Sequence, residues 1–117
     1  MAVKTQNNGG DVVFIIQDGE LINRIFPHID ASEINPFGAV QKVHRQVKAV
    51  LSVALLDVEI EKWMHEQGLK YRDDYYWNWR IDIIDSVGSG YAGEIDYSCH
   101  FVFRQAKYAS LFRLRWL

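Results

Sequence analysis

Two stretches of strict period-two alternation constrain this chain more than anything else in it. From Tyr75 to Asp85, the residues Tyr75, Trp77, Trp79, Ile81 and Ile83 share one face, and Tyr76, Asn78, Arg80 and Asp82 share the other. After Val87-Gly88-Ser89-Gly90 the pattern resumes. Ile95, Tyr97, Cys99, Phe101 and Phe103 fall on one face, and Glu94, Asp96, Ser98, His100 and Arg104 on the other. Successive side chains of a strand point to opposite faces, so two alternations around a glycine-rich turn predict an antiparallel hairpin. Its two apolar faces must lie on the same side, which restricts the register to steps of two.

The hairpin needs an apolar layer over its Trp/Tyr/Phe face. Val12-Val13-Phe14-Ile15-Ile16 is a short continuous apolar run stopped by Asp18-Gly19, which predicts a strand buried on both faces. Leu21, Ile22, Ile25 and Phe26 are spaced for one or two helical turns, ended by Pro27. Asn35-Pro36 is a strong helix start, since Asn caps well and Pro suits the first helical position. Helical spacing then runs through Val40, Val43, Val47, Val50, Leu51, Ala54, Leu55, Val58, Trp63 and Met64 to a C-capping Gly68. A helix from Pro36 to Gln67 would be ~48 Å long at 1.5 Å per residue. That length makes a break near Leu56-Asp57, where the apolar spacing falters, an open alternative. The tail from Ala106 to Leu117 fits either a helix or a strand, and we read it as a helical turn feeding a short terminal strand, with Phe112, Leu114 and Trp116 alternating with Arg113 and Arg115.

These patterns together predict an α+β fold: an antiparallel sheet of three to four strands with a long helix packed on one face, a ferredoxin-like variant. Residues 1–10, ending in Asn7-Asn8-Gly9-Gly10, read as a flexible lead-in, and 11–117 as one domain.

Composition narrows the function classes. The chain carries 13 basic and 15 acidic side chains, so no global field draws it to nucleic acid or an anionic membrane. No apolar run approaches the ~20 residues that span a bilayer. The polar N-terminus has no apolar core of a secretory signal, and Cys99 is the one cysteine, so the expected compartment is the cytoplasm.

No constellation of catalytic type stands out. Cys99 beside His100 looks like a nucleophile next to a base, but neighbours on a strand face opposite ways, which sends Cys99 to the core. Glu61 with His65 and His28 with Asp30 are isolated pairs, short of the three or four ligands a transition metal needs. Neither a metal nor a cofactor is expected. The polar hairpin face gathers Arg80, Asp82, Asp96 and His100, and the start of the first hairpin strand gathers Tyr71, Arg72, Tyr75 and Tyr76. Tyr, Trp and Arg dominate protein interfaces. An open sheet face also invites a partner or self-association.

The stretch from Phe103 to Trp116, through Phe103, Ala109, Phe112, Leu114 and Trp116, resembles the endings of small phage-encoded proteins of unassigned role. The resemblance covers little of the chain and carries over no catalytic residue. It implies a phage or mobile-element origin, hence a host cytoplasm, and a host or virion protein as partner.

The expected function is therefore a non-enzymatic protein–protein interaction module, with homo-oligomerisation open. Its candidate contacts are Tyr71, Arg72, Tyr75, Tyr76, Arg80, Asp82, Asp96 and His100. One alternative is a small enzyme on the Arg80/Asp82/Asp96/His100 face, with His100 as general base. The other is nucleic-acid binding through Arg113, Arg115 and the basic helix residues Lys42, Arg45 and Lys48.

Overall fold

A computed structural model describes residues 3–29, 40–85 and 93–117, with backbone alone at 40, 83–85 and 93–95. The Asn35-Pro36 helix start and the Val87-Gly88-Ser89-Gly90 turn lie outside the described residues. The elements follow the order β1 (Val3–Asn8), β2 (Asp11–Ile16), α1 (Gly19–Ile25), α2 (Val40–Ser52), α3 (Val58–Glu66), β3 (Tyr75–Asp85), β4 (Gly93–Phe103) and α4 (Ala106–Trp116).

The described strands form one antiparallel sheet of four in the order β1-β2-β4-β3. The alternation limits the hairpin to registers that pair core face with core face, and the observed register is one of them. Tyr75 faces Phe103, Trp77 faces Phe101 and Trp79 faces Cys99 on the core side, as the pattern predicts. β2 then pairs with the free side of β4, placing Phe14 beside Phe101 and Ile16 beside Cys99. Because β2 is central, both its faces are covered: Phe14 and Ile16 are buried on one, and Val13 on the other.

Residues 3–8, expected as part of a flexible lead-in, are instead the edge strand β1. Asn8 faces Asp11 across a two-residue turn, with Gly9 at φ 58° and Gly10 at φ 98°. Positive φ at both positions is what a type I′ hairpin turn demands, and glycine adopts it freely. Thus the apparent breakers are the turn that brings β1 back along β2. Apart from a half-buried Val3, the strand's side chains are exposed, so backbone hydrogen bonds rather than apolar burial hold it.

The long helix is two helices. α2 stops at Ser52, and Asp57 starts α3 by accepting hydrogen bonds at Oδ1 from the backbone N–H of Glu59 (2.9 Å) and Ile60 (3.4 Å). An aspartate in this role competes with helix continuation. The Asp57 N–H also donates to the Ile25 carbonyl at 2.8 Å, which ties the break to the end of α1. α3 closes as expected at Gly68, with φ 74°. The Gly68 N–H reaches the His65 carbonyl at 3.0 Å and the Leu69 N–H reaches that of Met64 at 2.9 Å, the two bonds of a Schellman motif. A Cβ at Gly68 would meet nothing within 4 Å. Gly68→Ala is therefore expected to cost about 1–2 kcal/mol, all of it backbone strain, measured by urea denaturation; no loss would show that the left-handed turn is dispensable.

The tail is helix α4 throughout, with no terminal strand. Ala109 and Phe112 are buried and Tyr108 and Trp116 are half-buried, a helical spacing that outweighs the alternation of Phe112, Leu114 and Trp116. Leu114 is 86% exposed. Buried side chains of the four described helices join one core with Phe14, Ile16, Cys99, Phe101 and Phe103. Among the described helices, none places its buried residues on the opposite sheet face. None is long and apolar enough to cross a membrane.

Candidate functional site

That opposite face carries the polar half of the hairpin. Its centre is apolar, where Val102 on β4 sits between Val13 on β2 and Tyr76 on β3. Val13 and Val102 are buried, as is Ser98. The Arg104 guanidinium lies 5.3 Å from the Tyr76 ring centroid, and its Nη1 reaches Asp11 Oδ2 at 3.3 Å. Arg104 is thus held at one end of the face by a ring and a carboxylate.

At the other end the register pairs Asn78 with His100, Arg80 with Ser98 and Asp82 with Asp96. Among the described residues, no ion pair links β3 to β4 across this face. Arg80 Nε instead donates to Asp82 Oδ1 on its own strand at 3.2 Å, with both side chains largely exposed. An exposed pair of this kind contributes about 0–1 kcal/mol. Asp82 and Asp96 are left directly opposite one another, and like charges in that position destabilise a sheet. Partial burial first, and then the neighbouring Arg80, hold the His100 imidazole below its ordinary pKa, against an opposing pull from Asp82. His100 is therefore neutral at neutral pH.

The structure separates the two candidate clusters. Tyr76, Arg80, Asp82, Asp96 and His100 share the outer face. Tyr71 and Tyr75 belong to the core side, where Tyr71 packs against Trp77 with ring centroids 4.5 Å apart. Tyr75 is 5% exposed, so it supplies a floor rather than a contact surface. Arg72 adopts φ 78°, unusual for a residue with a side chain, and its N–H donates to the Tyr75 carbonyl at 2.7 Å. Asp74 closes the same turn by accepting from the Lys70 N–H at 2.7 Å. The turn that presents Tyr71 is thus fixed by its own hydrogen bonds.

Other candidates resolve plainly. Cys99 is fully buried in the core, and burial pushes its thiol pKa far up, so it is no nucleophile. Among the described residues, no group of three or more His, Cys, Asp or Glu side chains converges as metal ligands; Asp30, of the His28 pair, lies outside them. The basic residues suggested for nucleic acid sit on separate helices, α2 against β3 and β4, and α4 against β4 and β2. Arg113 is engaged with Thr5 Oγ1 at 2.9 Å. The best-formed cavities among the described residues are lined by none of Arg80, Asp82, Asp96 and His100. Comparison with family models, with curated proteins and with solved structures gave no match.

Proposed function

We propose that the chain is a non-enzymatic interaction module that docks a protein on the outer face of its sheet. The observation that carries this reading is the exposed Asp82–Asp96 opposition beside an apolar centre of Val13, Val102 and Tyr76. A like-charge pair weakens the free hairpin, so a structural role does not account for it. A basic patch on a partner would neutralise both carboxylates, while the half-buried Tyr76 ring, backed by the buried Val13 and Val102, supplies apolar contact. The resemblance of the ending to small phage-encoded proteins agrees with a host or virion protein as the class of partner. An enzymatic role for His100 has less support, because a general base works in an enclosed site and His100 lines none of the best-formed cavities among the described residues.

We also read the architecture as a ferredoxin-like variant. The parallel strands β2 and β3 are joined through helices with β4 between them, which is the split β-α-β unit, and β1 adds a fourth strand beyond β2.

The test is native mass spectrometry of the protein purified from its natural cell, repeated with the double variant Asp82→Asn/Asp96→Asn. Removing the repulsion should leave stability equal or higher by about 0.2–1 kcal/mol. Retention of the partner should fall about tenfold or more, as expected for loss of charges paired across an interface. A chain that carries no partner, or a variant that retains it unchanged, contradicts the proposal. A symmetric dimer lost in the variant would identify a second copy of the chain as the partner.

A further inference from the structure

The corner between the α2–α3 connection and the start of β3 has a chemistry of its own, distinct from the outer face. A cavity of about 290 Å³ is lined there by Tyr71, Tyr75 and Trp77, with Glu61, His28 and the apolar group Leu55, Leu56 and Val58 around them. The Tyr71 ring stands 4.5 Å from that of Trp77 at 43°, and 5.6 Å from that of Tyr75 at 64°. Inclined rings of this kind form a corner rather than a flat stack. Tyr71 is 43% exposed, Leu55 64% and Val58 69%, so the corner is open at the surface. Glu61 lies close enough to Tyr75 for its charge to help burial raise the phenol pKa. The described ion pairs are Arg80–Asp82 and Arg104–Asp11, so no described cation answers Glu61.

We propose that this corner binds an alkylated ammonium group, carried either by a small quaternary amine or by a methylated lysine side chain. Three features select that class. Aromatic faces attract a cation through their quadrupoles, most strongly when the cation is weakly hydrated. The Leu55 and Val58 side chains suit the methyl groups of such an ion and not the water shell of a bare one. A purely apolar occupant would cover the Glu61 carboxylate without a partner, at a desolvation cost. The cavity is at the small end of the range for ligand sites, which fits a headgroup rather than a large molecule.

The test is an NMR titration of the ¹⁵N-labelled full chain, following the Trp77 indole and the Tyr71 and Glu61 amides. The probes are choline, its uncharged isostere with a tert-butyl group in place of trimethylammonium, and a short peptide containing trimethyllysine. A charged probe should shift these signals, with the isostere weaker by about tenfold. Tyr71→Ala should abolish the shift, and Glu61→Gln should weaken it about twofold to fivefold, both residues being exposed enough to replace without unfolding the chain. Tighter binding of choline or of the peptide identifies which source the site prefers. Equal binding of the isostere, no shift with any charged probe, or a shift that survives Tyr71→Ala overturns the proposal. Asp82→Asn/Asp96→Asn should leave the choline response unchanged, so this site and the outer face can fail separately.

Discussion

Replacing Phe112 by alanine is expected to lower the stability of the protein by about 3–5 kcal/mol, the largest effect of any single truncation considered. Phe112 is fully buried at the meeting point of the helical layer and the sheet. Its ring lies 4.8 Å from that of Phe101, 5.0 Å from that of Phe103, 6.3 Å from that of Phe14 and 6.2 Å from that of Trp63. The residue therefore joins α4 to β4, β2 and α3 at once. Truncation removes the ring's transfer energy and leaves a cavity among rigid aromatic rings that relax poorly. Leu114→Ala is the control. Leu114 is 86% exposed, so its loss should change stability by less than about 0.5 kcal/mol. A terminal strand would have placed Phe112 and Leu114 on the same buried face, and the two substitutions would then cost similar amounts. Equilibrium urea denaturation of both variants decides between these outcomes. Comparable losses would contradict the helical packing of α4.

The tail shows why some of the fold is legible in the sequence and some is not. Phe112, Leu114 and Trp116 alternate with Arg113 and Arg115, yet Tyr108, Ala109, Phe112 and Trp116 also follow a helical spacing. Both periods are present, and only the tertiary partners of Phe112 choose between them. The β3–β4 hairpin is different. Each strand has 11 residues and repeats its alternation long enough to admit one reading, so the pairing of core with core followed directly. β1 left almost no apolar signal, because an edge strand held by backbone bonds needs none. Its trace was the Gly9-Gly10 pair at two-residue spacing, which reads equally well as a breaker. At the α2–α3 break, the apolar spacing faltered at the right place, but the decisive residue was Asp57 acting as a cap.

The candidate site divides in the same way. Period two alone put Arg80, Asp82, Asp96 and His100 on one face. It could not say that Asp82 meets Asp96, because shifting the hairpin by two residues would leave every face unchanged and every pair altered. Glu61 joins Tyr71 and Trp77 only through the packing of α3 beside the start of β3, a contact with no local signature.

Cys99 should react with a disulfide reagent more than about 10³-fold more slowly in the native protein than in the urea-unfolded chain, because labelling must await global opening of a domain stable by at least about 5 kcal/mol. The residue lies between Trp79 on β3 and Ile16 on β2 and is 0% exposed. Two requirements fail together: the reagent has no path to the sulfur, and the reactive thiolate is disfavoured because burial raises the thiol pKa far above its ordinary value. The same displacement makes stability depend on pH. Below about pH 8.5 the thiol is protonated in both states and contributes no difference. Above it the unfolded chain releases the proton while the native chain keeps it, so stability falls by up to about 1.4 kcal/mol per pH unit. Burial also raises the phenol pKa values of Tyr75 and Tyr97, which adds to the fall at still higher pH. Cys99→Ala should remove the component that begins near pH 8.5 and leave the tyrosine component in place. Rapid labelling of the folded protein, or an alkaline slope unchanged in Cys99→Ala, would show that the thiol is accessible and that β4 opens without the rest of the sheet.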